Sequence, residues 1–85
     1  MAFILLLKPK VQKELNKLTD KERSKIILIL EDILQDPFSG KKLEGELKNC
    51  YSSRAWPYRI VYEIRKKELV IVVIKIGHRQ GVYNS

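Results

Sequence analysis

From Leu69 to Ile76 every residue except Lys75 is apolar, the composition of a strand covered on both faces rather than of a surface ribbon. In a chain of 85 residues such a strand belongs at the centre of a sheet, and the remaining residues must supply its neighbours and its cover. A core at this length buries only about 60% of the surface that the unfolded chain exposes. One domain, residues 1–85, is therefore expected. The 45% hydrophobic and 32% charged residues, with three Pro and four Gly, are those of a folded globular chain.

The rest of the chain reads outward from that strand. Phe3–Leu7 is a short apolar run followed by Lys8-Pro9, so a strand should pass at once into a helix that starts on proline. Val11, Leu15 and Leu18 at i, i+4 and i+7 give this first helix one buried stripe. Thr19 with Glu22 is a capping box and starts a second helix, whose apolar set is Ile26, Ile27, Ile29, Leu30, Ile33 and Leu34. Asp36-Pro37 ends it, since the residue before proline avoids the helical region. Phe38–Lys42 reads as a loop, and 43–49 as a turn or irregular approach. Tyr51–Ala55 is a short strand interrupted by Trp56-Pro57. Tyr58, Ile60, Tyr62 and Ile64 then alternate with Arg59, Val61 and Glu63, and Gly77 closes the final strand. The order is strand, helix, helix, three strands: an α+β fold with a helical hairpin on one face of a mainly antiparallel sheet. The face carrying Arg59 is left for ligands.

Charge narrows the partners. The chain carries a formal +7, with seven basic and six acidic residues in 1–40 but ten basic and four acidic in 41–85. The sheet half thus holds a net +6, which favours a polyanion or an acidic protein, although a solvated basic surface without a partner has the same signature. Cys50 is the only cysteine, which excludes an internal disulfide and points to a reducing cytoplasm. Ala2–Leu7 is too short for a signal sequence or a membrane span. With one histidine, no cysteine pair and scattered carboxylates, no metal and no cofactor is expected. The absence of a glycine-rich phosphate loop argues against nucleotide hydrolysis.

The residues suited to chemistry gather near the ends of the last two strands. Arg59, His78, Arg79 and Tyr83 combine two guanidiniums, an imidazole and a phenol, groups that neutralise phosphate charge and move protons. Each has a plainer role open to it: a solvated strand arginine, an exposed histidine, a tyrosine docking the chain end. Lys48, Arg54 and Lys75 are candidate phosphate contacts or simple surface charge. Trp56 is a stacking platform for a base or a plug for the sheet end, and the core role is the expected one.

Taken together, LEGELKNCYSSRAWPYRIVYEI, KELVIVVIKIGHR and the terminal VY resemble the RelE/ParE superfamily of bacterial and archaeal type II toxins. The resemblance implies a compact RelE-like fold and the toxin role in a toxin–antitoxin pair, usually that of a ribosome-dependent endoribonuclease cutting messenger RNA. It implies as partners a cognate antitoxin, messenger RNA and the ribosome. On its motifs Arg59, Arg79 and Tyr83 fall on the family's active-site positions. Of two lysines that RelE carries on the preceding strand, only Arg54 offers a replacement, because Ser52 is uncharged. Lys41 and Lys42 stand where one branch places a carboxylate base. The implied reaction is metal-free attack of the ribose 2'-hydroxyl on its neighbouring phosphate. Arg59 and Arg79 would stabilise the phosphorane, His78 or Tyr83 would handle protons, and Lys48, Arg54 and Lys75 would position the backbone. The ParE branch, which poisons DNA gyrase with the same fold, and a degenerate member that only binds antitoxin or RNA remain the alternatives.

Overall fold

Pro9 takes the first position of helix α1, Pro9–Lys17, where its fixed φ suits the helix and its missing N–H has no partner to lose. The chain reaches it from strand β1, Ile4–Leu7. The computed structural model describes residues 2–43, 45 and 49–78. Helix α1 buries Val11 and Leu15, and Leu18 packs partly against the same core. Its last carbonyls are capped from outside. The Arg23 guanidinium donates to the carbonyls of Leu15 (3.2 Å), Asn16 (3.2 Å) and Leu18 (2.7 Å) and is itself held by Asp20 at 2.9 Å. These are the acceptors a helix end leaves unsatisfied.

Helix α2, Asp20–Gln35, begins with the capping box: the Glu22 amide donates to Thr19 Oγ1 at 3.2 Å, and the Thr19 amide returns a bond to Glu22 Oε1 at 3.4 Å. Ile26, Leu30 and Ile33 are buried, with Ile29 and Leu34 packed beside them. Ile27, expected on this stripe, is 41% exposed. At 3.6 residues per turn, positions 26, 29, 30 and 33 share one face, and 27 is rotated away from it.

Among the described residues the sheet has five strands, with β2 at Lys41–Lys42, β3 at Cys50–Ala55, β4 at Tyr58–Arg65 and β5 at Val70–His78, in the order β1-β5-β4-β3-β2. The apolar run lies one strand in from the edge, parallel to β1 and antiparallel to β4. One strand is additional to the expected set. The 38–42 segment, expected as a loop, contributes to a 3₁₀ turn at Pro37–Ser39 and then to β2, Lys41–Lys42, which pairs with β3 through Lys41–Ser52 and Lys42–Tyr51. Two residues carry no periodicity of their own; the ladder makes them a strand. Strand β5 likewise continues beyond its expected end, because Gly77 and His78 pair with Arg59 and Tyr58. A register shift after Val61 pairs Val61 with Lys75 and Tyr62 with Val73, leaving Ile74 as the extra residue of a bulge.

Both helices pack on one face. There Tyr58, Ile60, Tyr62 and Ile64 of β4 and Ile71, Val73 and Ile76 of β5 meet the helix stripes. Aromatic rings close the β2 side: Phe3 meets Phe38 edge-on at 6.4 Å, Phe38 meets Tyr51 at 5.8 Å, and Tyr51 stacks on Tyr62 at 6.0 Å. The Tyr62 hydroxyl donates to the Pro37 carbonyl at 2.8 Å, tying the 3₁₀ turn to the centre of the sheet. Among the described residues, no helix is long and apolar enough to cross a membrane.

Candidate functional site

Alternation along β4 turns Tyr58, Ile60, Tyr62 and Ile64 inward, so Arg59, Val61 and Glu63 must point to the face without helices. Arg54 on β3 is the direct register partner of Arg59, and directly opposed residues share a face. Two guanidiniums therefore stand side by side. The next pair on the same face, Ser52–Val61, is flanked on β2 by Lys41. A cleft of about 310 Å³ opens here, lined by Ser39, Gly40, Lys41, Leu43, Ser52, Ser53, Arg54 and Arg59. Lys41, Arg54 and Arg59 are the cations of its lining, the composition of an anion site.

The backbone under the cleft is tightly set. A Cβ on Gly40 would stand 2.4 Å from the Tyr62 hydroxyl and 2.8 Å from the Ser52 carbonyl oxygen, so this position admits no side chain. Burial pushes the Tyr62 hydroxyl above its ordinary range, which keeps it protonated and donating to Pro37. At the start of β4, next to Arg59, the Tyr58 hydroxyl donates to Glu22, and that bond, with burial second, pushes its pKa up to about 12. Burial and then nearby Glu63 raise the Cys50 thiol, so this buried cysteine is not an activated nucleophile.

The site residues expected from sequence divide accordingly. Arg54 and Arg59 come together in the cleft. Lys75 does not join them: it lines a recess of about 210 Å³ with Lys10, Val11, Glu14 and Ile74, beside α1. His78, expected beyond the strand, ends β5 as the register partner of Tyr58, and its side chain lies outside the described residues. Lys48, Arg79 and Tyr83 also lie outside them. Trp56, expected in the core, is 63% exposed. It occupies the two-residue turn between β3 and β4. Lys41 was not among the expected contacts. Its signal would have been the pairing of β2 with β3, which is invisible in a two-residue strand.

This two-helix layer on a five-stranded sheet is the fold of a type II toxin, as comparison with known proteins shows. Residues 5–83 match the family described as the ParE toxin of type II toxin–antitoxin systems. The chain belongs to that family. It is 31% identical over 83 residues to the mRNA interferase toxin RelE of Escherichia coli, an alignment covering 94% of this chain and 86% of RelE. It is also 32% identical over 53 residues to toxin RelG of Mycobacterium tuberculosis, an alignment spanning 61% of each. Among solved structures, a variant of E. coli RelE in the free state superposes with a TM-score of 0.81 at 29% identity, covering 99% of this chain and 93% of RelE. The toxin–antitoxin complex RelBE of E. coli gives a TM-score of 0.78 at 28% identity, covering 92% and 96%.

Proposed function

We propose that this chain is an endoribonuclease of the RelE type that cuts messenger RNA on the ribosome and is neutralised by a cognate antitoxin. The observation that carries this reading is the Arg54–Arg59 pair with Lys41 in one cleft. Like charges directly opposite one another on a sheet are destabilising, and a phosphodiester seated between two guanidiniums offsets the repulsion through charge-assisted bonds. The similarity to an mRNA interferase across most of the chain supports the same reading.

In the proposed reaction the ribose 2'-hydroxyl attacks the adjacent phosphorus, its proton passes to a base, and the 5'-oxygen leaves with a proton from an acid. The products are a cyclic phosphate and a free 5'-hydroxyl. Arg59 stabilises the dianionic phosphorane, and Arg54 and Lys41 hold the flanking backbone. Assigned by sequence, Arg79 joins Arg59, His78 or Tyr83 moves the protons, and Lys48 and Lys75 contribute long-range attraction. The antitoxin, expected to be acidic, covers the basic face and competes with RNA there.

A second reading comes from the family match itself, whose description is that of ParE; under it the target is DNA gyrase. One pair of assays separates the two. Purified protein incubated with messenger RNA, with and without ribosomes, should cleave it, while gyrase supercoiling in parallel should proceed unchanged. Inhibited supercoiling with intact RNA overturns the nuclease reading.

A further inference from the structure

An indole left largely in solvent forgoes the burial that its size offers, and Trp56 is 63% exposed two residues beyond Arg54 on the β3–β4 hairpin. It sits in the turn closed by the Ala55–Tyr58 pair, one register step beyond Arg54–Arg59. At a strand rise of roughly 3.3 Å per residue, its Cα lies within about 7 Å of either arginine's along the strands. That is the reach of a single nucleotide. The other exposed apolar residues of the sheet, Ile4 and Leu6, are on β1 at the opposite edge.

The turn is held from behind. The Lys25 ammonium donates to the Trp56 carbonyl, and the Tyr58 hydroxyl donates to Glu22, so α2 grips the hairpin on both sides of Pro57 through groups other than the indole. A ring carried on a braced turn loses little freedom when a ligand covers it. A nucleotide whose phosphate lies on the arginines has a base to place, and an aromatic face accepts any base because every base has a π-face.

We propose that Trp56 stacks on a nucleobase of the RNA whose phosphates lie on Arg54 and Arg59. The hairpin thus grips a nucleotide by both its charge and its base. This rests on the RNA reading above and adds to it a positioning residue outside the cationic cleft. Stacking fixes the strand's register relative to Arg59, and so selects which phosphate meets the phosphorane-stabilising group.

Trp56 is the only tryptophan in the chain, so indole emission reports on it alone. The test titrates the full chain with a 2'-O-methylated single-stranded oligonucleotide, which cannot be cut, and with an abasic oligomer of equal length and charge. The base-bearing oligomer should quench the emission and the abasic one should not. Trp56→Ala should weaken binding of the base-bearing oligomer about tenfold and leave the abasic affinity unchanged. Trp56→Phe, which keeps an aromatic face, should recover most of the loss. A melting temperature equal to that of the parent shows that each variant folds. Equal affinity in Trp56→Ala, or binding of both oligomers without quenching, overturns the stacking while the RNA reading stands. Failure of the parent to bind either oligomer overturns the stacking, and the cleavage assay with ribosomes decides the RNA reading separately. Quenching by a protein antitoxin alone overturns it and gives the ring to a protein interface.

Discussion

The hydroxyl of Tyr58, the first residue of β4, donates to the carboxylate of Glu22, whose other oxygen completes the cap of α2. One side chain thus joins the start of a helix to the strand that carries Arg59. Any loosening of this bond should be felt at the cleft.

Raising the pH provides a direct test. The Tyr58 pKa is pushed up from 10 to about 12, chiefly by its bond to Glu22. Because the folded value lies above the unfolded one, the bond's contribution is full below pH 10 and is lost as the pH climbs toward 12. Tyr58→Phe should therefore be less stable than the parent at neutral pH by about 1 kcal/mol. The gap should close between pH 10 and 12. Urea melts of both proteins across that range check it, since Tyr62 titrates in both and cancels.

Arg59→Lys should not behave as a conservative change. Lysine keeps the charge but not the planar fork that holds two phosphate oxygens, and a charge-assisted bond contributes about 1.5–3 kcal/mol. Messenger RNA cleavage should fall at least about tenfold at an unchanged melting temperature. Parental cleavage rates in the lysine variant would reduce Arg59 to a general electrostatic contact.

Lys41, Arg54 and Arg59 can be counted by salt. If each contacts one phosphate of a single strand, replacing any one by alanine lowers the slope of log affinity against log salt by about 0.7. Lys10, in the separate recess beside Lys75, serves as the control and should leave the slope unaltered. Fluorescence anisotropy with a labelled oligonucleotide at several salt concentrations measures it.

Gly40→Ala should damage fold and site together. The added methyl meets the Tyr62 hydroxyl and the Ser52 carbonyl, and neither can retreat: Tyr62 is fully buried and bonded to Pro37, while Ser52 is in the ladder. Overpacking of this kind costs about 1–3 kcal/mol, or at least about 4 °C of melting temperature at this chain length. An unchanged melting temperature would show that the 3₁₀ turn yields without strain.

Arg23→Lys should unravel the last turn of α1. A lysine ammonium cannot reach the carbonyls of Leu15, Asn16 and Leu18 as the spread nitrogens of one guanidinium do. Hydrogen exchange of the amides at the end of α1 should accelerate, with α2 protected as before. Uniform acceleration across both helices would mean that Arg23 supports the whole domain rather than one cap.

Features that depend on residues close in sequence were legible before any coordinates. Pro9, the Thr19–Glu22 box, Asp36-Pro37 and the alternation of 58–64 all landed as expected, because each is a local preference. The alternation of 58–64 also put Arg59 on the face away from the core, as observed, and β3 brings Arg54 beside it. What escaped is set by pairing across the fold. Strand β2, the place of Lys41, the bulge at Ile74 and the Tyr58–Glu22 bond each join segments far apart in sequence. Trp56 misled for a different reason: its size argues for burial, but it stands in the turn between β3 and β4 and is largely exposed.

The pairing of Ile4 with Val70 also sets a schedule. Strand β1 is made before the other described strands, yet among the described residues its neighbour in the sheet is β5, the last of them in sequence. The same late strand flanks β4 and supplies Ile71, Val73 and Ile76 to the core. Long-range contacts of this kind form only after their loop has closed. Until β5 is made, β4, the strand that carries Arg59, therefore lacks one of its two neighbours and the core lacks the β5 side chains. Stalled nascent chains ending before Val70 should be cut by protease as readily as unfolded protein, and full-length released chains should resist.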